Sequence, residues 1–174
     1  FRGEASAGSK VALRIPENTG TESLDIDGTG AGLPTNEIVA FHSNGFTVDS
    51  GFNVLDIPYY YLAWREDANT AYLVQTGKVP QNASDVVVDP GFAAKFVLAK
   101  GSNVAFQARF RIASQHTGLN SQVWQSGTLS TNAVIALSAT FTLDGGGSVL
   151  TSTSDGYWLT LIQHGSILPS PPFG

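Results

Sequence analysis

The chain contains no cysteine and no methionine, and its final third contains almost no charge. Without cysteine there is no disulfide framework and no thiol chemistry. A secreted domain of this size can stand without such staples, so the compartment stays open on this count. The absent methionine extends to position 1, so a chain beginning at Phe1 reads as the product of maturation, export or trimming. Arg111 is the last basic residue, and from Ile112 to Gly174 the only acids are Asp144 and Asp155. Charged residues make up 13% of the whole, against roughly 25% in an ordinary soluble domain. No apolar run approaches the roughly 18 residues of a membrane span, so no membrane span is expected.

The charge that is present is sparse and net acidic, at −5. Nine basic residues are scattered along the chain, and only Arg109 and Arg111 lie close together. Phosphate binding needs clustered Lys and Arg, so no nucleic-acid partner is expected. Hydrophobic residues reach an ordinary 42%. Ser, Thr, Gly, Asn and Gln therefore replace charge as the polar component. A surface of that kind self-repels little and suits a protein that lives against copies of itself.

Alternation with period two dominates what remains. Val104, Phe106, Ala108, Phe110 and Ile112 are apolar, with Gln107, Arg109 and Arg111 between them. Ile135, Leu137, Ala139, Phe141 and Leu143 alternate with Ser138, Thr140 and Thr142. Both patterns predict half-buried strands. In Gly156 to His164, Tyr157, Leu159 and Leu161 occupy one face and Trp158 and Ile162 the other. A strand apolar on both faces is central in a sandwich or packed on a neighbouring subunit. Strands are expected near 10–16, 37–42, 45–49, 53–57, 59–65, 70–76, 85–88, 92–99, 103–113, 121–126, 133–143 and 156–164. Turn pairs such as Asn44-Gly45, Asp144-Gly145 and Asp155-Gly156 separate them, as expected for positive-φ turn glycines. The fold class predicted is all-β. It is a single-domain antiparallel β-sandwich of the jelly-roll kind over 1–167, with an irregular loop or arm at 17–36 and a Pro-rich extended tail at 168–174.

Motifs for chemistry are weak. Asp25-Ile26-Asp27-Gly28 resembles the start of a calcium loop but lacks its third ligand and closing Glu, so a solvated turn is favoured. His42, His116 and His164 show no ligand spacing. There is no Gly-x-Ser-x-Gly elbow, and the acidic pairs Glu66-Asp67 and Asp85/Asp89 lie near turns. No enzymatic activity, no metal and no cofactor is expected. Asn82-Ala83-Ser84 is a lone sequon.

Aromatic residues carry the functional expectation. Tyr59, Tyr60, Tyr61 and Trp64 form a dense cluster. Alternation sends Tyr59 and Tyr61 one way and Tyr60 the other, one set filling core and the other forming a contact or sugar-stacking surface. Trp124, Trp158, Ile162 and Phe173 are the further candidate contact anchors. The leading expectation is a structural subunit of an extracellular or virion assembly, such as a phage capsid decoration or fibre-type protein. Its partners would be copies of itself, often around a three-fold axis, and a major capsid or filament protein. The uncharged C-terminal strands would pack on sister molecules and the two arms would reach onto neighbours. One alternative is a carbohydrate-binding adhesin or lectin-like module recognising surface glycans. Another is a pilus-type subunit donating the strand that runs from Val11 to Ile15.

Overall fold

The computed structural model describes residues 2–3, 11–27, 33–53, 55, 58–64, 72–103, 106–124, 126–131, 133–145 and 149–163. The tail 168–174, His164 and Phe173 lie outside these residues, as do positions 28–32 of the expected arm. All regular structure among the described residues is β. The strands are β1 (Arg2–Gly3), β2 (Ala12–Leu13), β3 (Leu24–Asp25), β4 (Ile38–His42), β5 (Gly45–Val48), β6 (Tyr59–Tyr60), β7 (Tyr72–Val79) and β8 (Val86–Val88). They continue as β9 (Phe96–Gly101), β10 (Arg109–Ile112), β11 (Ser121–Val123), β12 (Leu129–Ser130), β13 (Val134–Leu137), β14 (Phe141–Leu143) and β15 (Gly156–Gln163).

Six strands form one antiparallel sheet in the order β12-β11-β10-β9-β15-β7, and three form a second in the order β13-β14-β8. The pairs β1–β6, β2–β3 and β4–β5 are separate two-stranded ribbons. The long strand β15 sits inside the large sheet, paired along its whole length to β7 and over six residues to β9. Its two faces are both covered by this same chain. Trp158 joins Val97, Ala99 and Val79 against Val88, Val134, Phe141 and Leu143 of the smaller sheet. Tyr157 and Leu159 pack against Ile15 and Leu24 of the N-terminal segment. The cover expected from sister molecules is thus supplied by residues 11–27, and the large sheet becomes the middle of three layers.

The same packing changes the reading of the expected arm. Its described part folds back on the domain instead of reaching away. Leu24 and Ile26 are buried, and β3 pairs with β2 in the register Ala12↔Asp25 and Leu13↔Leu24. The run from Val11 to Ile15, considered above as a donated strand, is therefore used within its own chain. Side chains tie the segment down further. Arg14 donates to the carbonyls of Glu22, Gly20 (2.7 Å) and Ile38 (3.2 Å), and Thr76 Oγ1 donates to Glu17 Oε1 at 3.0 Å. Loop carbonyls without strand partners need donors of this kind.

Two strand expectations need correction. The run 133–143 is a hairpin, turned at 138–140, where Ser138 N–H donates to the Thr140 carbonyl. Folding it back places Val134, Phe141 and Leu143 together in the core. In the run 103–113 the strand starts only at Arg109, and its polar face is buried as well as the face carrying Ala108 and Phe110, which packs on Ile26 and Leu98. Arg109 and Arg111 are 8% and 5% exposed, while Phe106 is 50% exposed. Arg111 reaches the carbonyls of Asn120, Gly118 (2.6 Å), His116 (3.4 Å) and Val134 (3.4 Å), so one guanidinium organises the 113–120 loop and joins it to β13. A planar five-donor group can do this where no apolar side chain could. Among the described residues the positive-φ glycines are Gly20, Gly91, Gly118 and Gly127, not those of the turn pairs Asn44-Gly45, Asp144-Gly145 and Asp155-Gly156. One glycine is dictated by packing instead. A Cβ on Gly77 would lie 2.2 Å from Trp158 Cζ2, because the indole crosses β7 at that point.

Candidate contact surface

The expected aromatic cluster lies beside the β4–β5 ribbon. Strand β6 spans only two residues, pairing with β1 as Arg2↔Tyr60 and Gly3↔Tyr59. Tyr59 turns inward, edge-on to Phe52 at 5.3 Å, and packs on the small core of Ala12, Ile38 and Phe52. The chain leaves the strand after Tyr60, so alternation stops there. Tyr60 and Tyr61 both face outward, at 60% and 66% exposure, and Tyr59 and Tyr61 do not share a face. Leu62 and Trp64 are exposed as well.

The ribbon braces this surface. Phe46 of β5 meets Tyr61 edge-on at 5.2 Å. Phe41 of β4, itself exposed, lies under the Arg14 guanidinium with 5.8 Å from Cζ to the ring centroid. Arg14 is fixed by the three carbonyls named above, so it anchors both the N-terminal segment and one border of this surface. Edge-on aromatic pairs and cation–π contacts each contribute about 0.5–1.5 kcal/mol. The ribbon is closed by a hydrogen bond between His42 Nε2 and Thr47 Oγ1 at 2.7 Å. The result is an apolar surface built from Phe41, Tyr60, Tyr61, Leu62 and Trp64. These exposed apolar side chains, joined to the ribbon through the Phe46–Tyr61 contact, are the candidate contact surface.

The remaining anchor candidates separate. Trp158 is buried between the two sheets, edge-on to Phe141 at 5.3 Å, so it is not available at the surface. Trp124 is partly exposed, edge-on to Phe110 at 5.9 Å, on the far side of the large sheet with exposed Leu129 and Leu119 nearby in sequence. Ile162 is a β15 position paired with Leu73 of β7. Sequence reasoning missed Phe41, Phe46 and Leu62. Their signal was present as apolar residues in a short ribbon and at the end of the tyrosine run, yet nothing local said which side they would face.

Chemistry-bearing residues do not assemble into a reaction centre. Among the described residues no group of three or more His, Asp or Glu side chains is placed to hold a metal ion. His116 is buried and accepts the Ile112 N–H at Nδ1 (2.9 Å), a structural role in the 113–120 loop. Asp27 is not the solvated turn residue expected. It is buried, accepts the Val11 N–H at 2.9 Å, and its carboxyl is pushed above the usual range by burial and by the neighbouring Asp25. Lys78 and Asp155 form an ion pair at 2.8 Å beside the Tyr157 ring. Burial would raise the Asp155 carboxyl, but Lys78 and the Gln81 N–H together hold it below its ordinary value. No known protein-family model, curated protein or solved structure matched this chain.

Proposed function

We propose that this protein is a structural subunit of an extracellular or virion assembly, acting by self-association through the apolar surface of residues 41–64. The observation that carries the reading is the exposure of Tyr60, Tyr61, Leu62 and Trp64 beside a ribbon that braces the Tyr61 ring. Leu62, 69% exposed, favours a protein partner over a sugar, because an aliphatic chain offers a pyranose neither stacking nor hydrogen bonds. The low charged content of the chain, 13%, leaves little electrostatic repulsion to oppose a second copy as that partner. A capsid decoration or fibre-type role, with a trimer and a major capsid or filament protein as further partner, is the specific form of this proposal.

The jelly-roll assignment belongs to the same proposal. Its support is nested pairing: β7 with β15 in one sheet and β8 with β14 in the other, the order produced when a long hairpin is wound over two sheets. The β9–β12 meander departs from that pattern.

Sedimentation of the full chain across a range of concentrations tests the function. A stable multimer is expected, converted to monomer by the double substitution Tyr61→Ser, Leu62→Ser with the fold retained by circular dichroism. A wild-type chain that stays monomeric at high concentration overturns it. The lectin-like alternative draws on the outward rings of Tyr60 and Trp64. A glycan-array hit abolished by Tyr60→Ala, with wild-type chain monomeric, would establish it instead.

A further inference from the structure

An open sheet ends in strands that bond on one side only, and such edges recruit further strands unless something blunts them. Three of the edges of the two larger sheets are blunt. β12 has two residues, β8 has three, and β13 has four with a register shift between Val134 and Ala136. β7, the other edge of the six-stranded sheet, is different. It runs for eight residues, each paired one-to-one with β15, with no bulge and no proline. Among the described residues its backbone bonds to β15 alone. In an antiparallel ladder every second residue directs its N–H and C=O away from the partner strand, so β7 presents a row of such groups outward.

The faces of β7 are those of an inner strand. Gly77 and Val79 lie on the inter-sheet side, with Trp158. Val74 packs with Ile15 and Leu24 on the other side, where Thr76 bonds to Glu17. The one charged residue of the strand, Lys78, is held by Asp155 at 2.8 Å. A strand covered on both faces, with its single charge paired and one edge open, is built like a strand that has a neighbour.

We propose that β7 pairs antiparallel with β7 of a second copy, so that two six-stranded sheets become one continuous sheet across a two-fold axis. Self-pairing sets outward residues against outward residues only when the axis passes through a residue, and Gln75 and Thr76 are the two central ones. Either centre keeps the two Lys78 residues at least four positions apart along the strands, about 13 Å and beyond the roughly 8 Å screening length. An axis normal to the sheet sets N-terminal layer beside N-terminal layer and small sheet beside small sheet. A second copy thus brings cover for both faces of the added strand, whereas a lone extended peptide brings none. Edge hydrogen bonds bury little apolar area, so the pairing rests on the self-association through residues 41–64 proposed above and links copies already held close.

A chain without cysteine makes the test direct. A residue on the axis has its Cα about 4.5–5.5 Å from its own copy, inside disulfide reach. Gln75→Cys and Thr76→Cys are made separately and oxidised mildly in the multimer. One of the two should run as a disulfide-linked dimer on a non-reducing gel, at several times the yield of the exposed control Ser152→Cys. A multimer with no such link at either position overturns this inference and leaves the 41–64 contact standing. A link that forms equally well in the Tyr61→Ser, Leu62→Ser background keeps the β7 pairing and overturns the 41–64 contact instead. A wild-type chain that stays monomeric overturns both. Where the cysteine variants fail to fold, hydrogen exchange on the wild-type chain decides: the outward amides of residues 72–79 should slow as concentration rises. Outward amides that exchange at one rate at every concentration overturn the pairing, whether fast at an open edge or slow beneath another segment.

Discussion

Trp158 and Trp64 are the same residue in opposite situations. Trp158 is 8% exposed in the middle of an eight-residue strand, and Trp64 is 47% exposed just past a two-residue one. Both lie in aromatic stretches. The difference comes from regular pairing. In β15 every residue is registered against β7, and residues Gly156 to Leu161 also against β9, so alternation assigns the side chains from Tyr157 to Leu161 to one of two covered faces. After Tyr60 no ladder directs the chain, and Tyr61, Leu62 and Trp64 go to the surface. Aromatic richness alone therefore does not separate core from contact surface; the length of the strand carrying it does.

That contrast can be broken from either side. The largest effect is expected in the inter-sheet core. Trp158→Ala should lose about 3–5 kcal/mol of folding free energy in denaturant titration, since it empties the space against Phe141. Trp64→Ala should change stability by no more than about 0.5 kcal/mol, as for surface sites. Comparable losses at the two tryptophans would erase the distinction. Gly77→Ala sharpens the core side. Its Cβ would enter the Trp158 ring, and about 1–3 kcal/mol of overpacking is expected, relieved when combined with Trp158→Phe.

A smaller effect separates the partly exposed ion pair from both regions. The Asp155 carboxyl is held below its ordinary value of 3.8. Its contribution is present above that value and is lost as pH falls through the lower folded-state value. Asp155→Asn should therefore flatten part of the acid limb of a stability–pH curve, by about 0.2–1 kcal/mol given the exposure of the Lys78–Asp155 pair. The buried Asp27 has the opposite sign, because its pKa is raised. Its contribution is full below 3.8 and is lost as pH rises through the higher folded-state value. An unchanged acid limb in Asp155→Asn would remove the pair from the account.

Much of the fold was legible because period-two alternation is a local property. The runs at 37–42, 45–49, 85–88 and 156–164 correspond closely to β4, β5, β8 and β15. The buried arginines were not legible. Arg109 and Arg111 alternate with apolar residues as a solvent face would, and only backbone carbonyls, for Arg111 those of a loop several residues later, let that face be buried too. The site was legible in part: the tyrosine run identified the region, while Phe41 and Phe46 joined it only through a ribbon closed elsewhere in the chain.

By itself, the amino-acid order determined an all-β chain with little charge, no thiol and one aromatic hot region, because propensity, alternation and composition act over a few residues. Tertiary structure alone decided that β15 is sealed on both faces by its own chain, that Trp158 is core and Tyr61 surface, and that Arg109 and Arg111 are buried. Those outcomes depend on which distant segments come to lie against one another, and burial and hydrogen-bond satisfaction are settled only there.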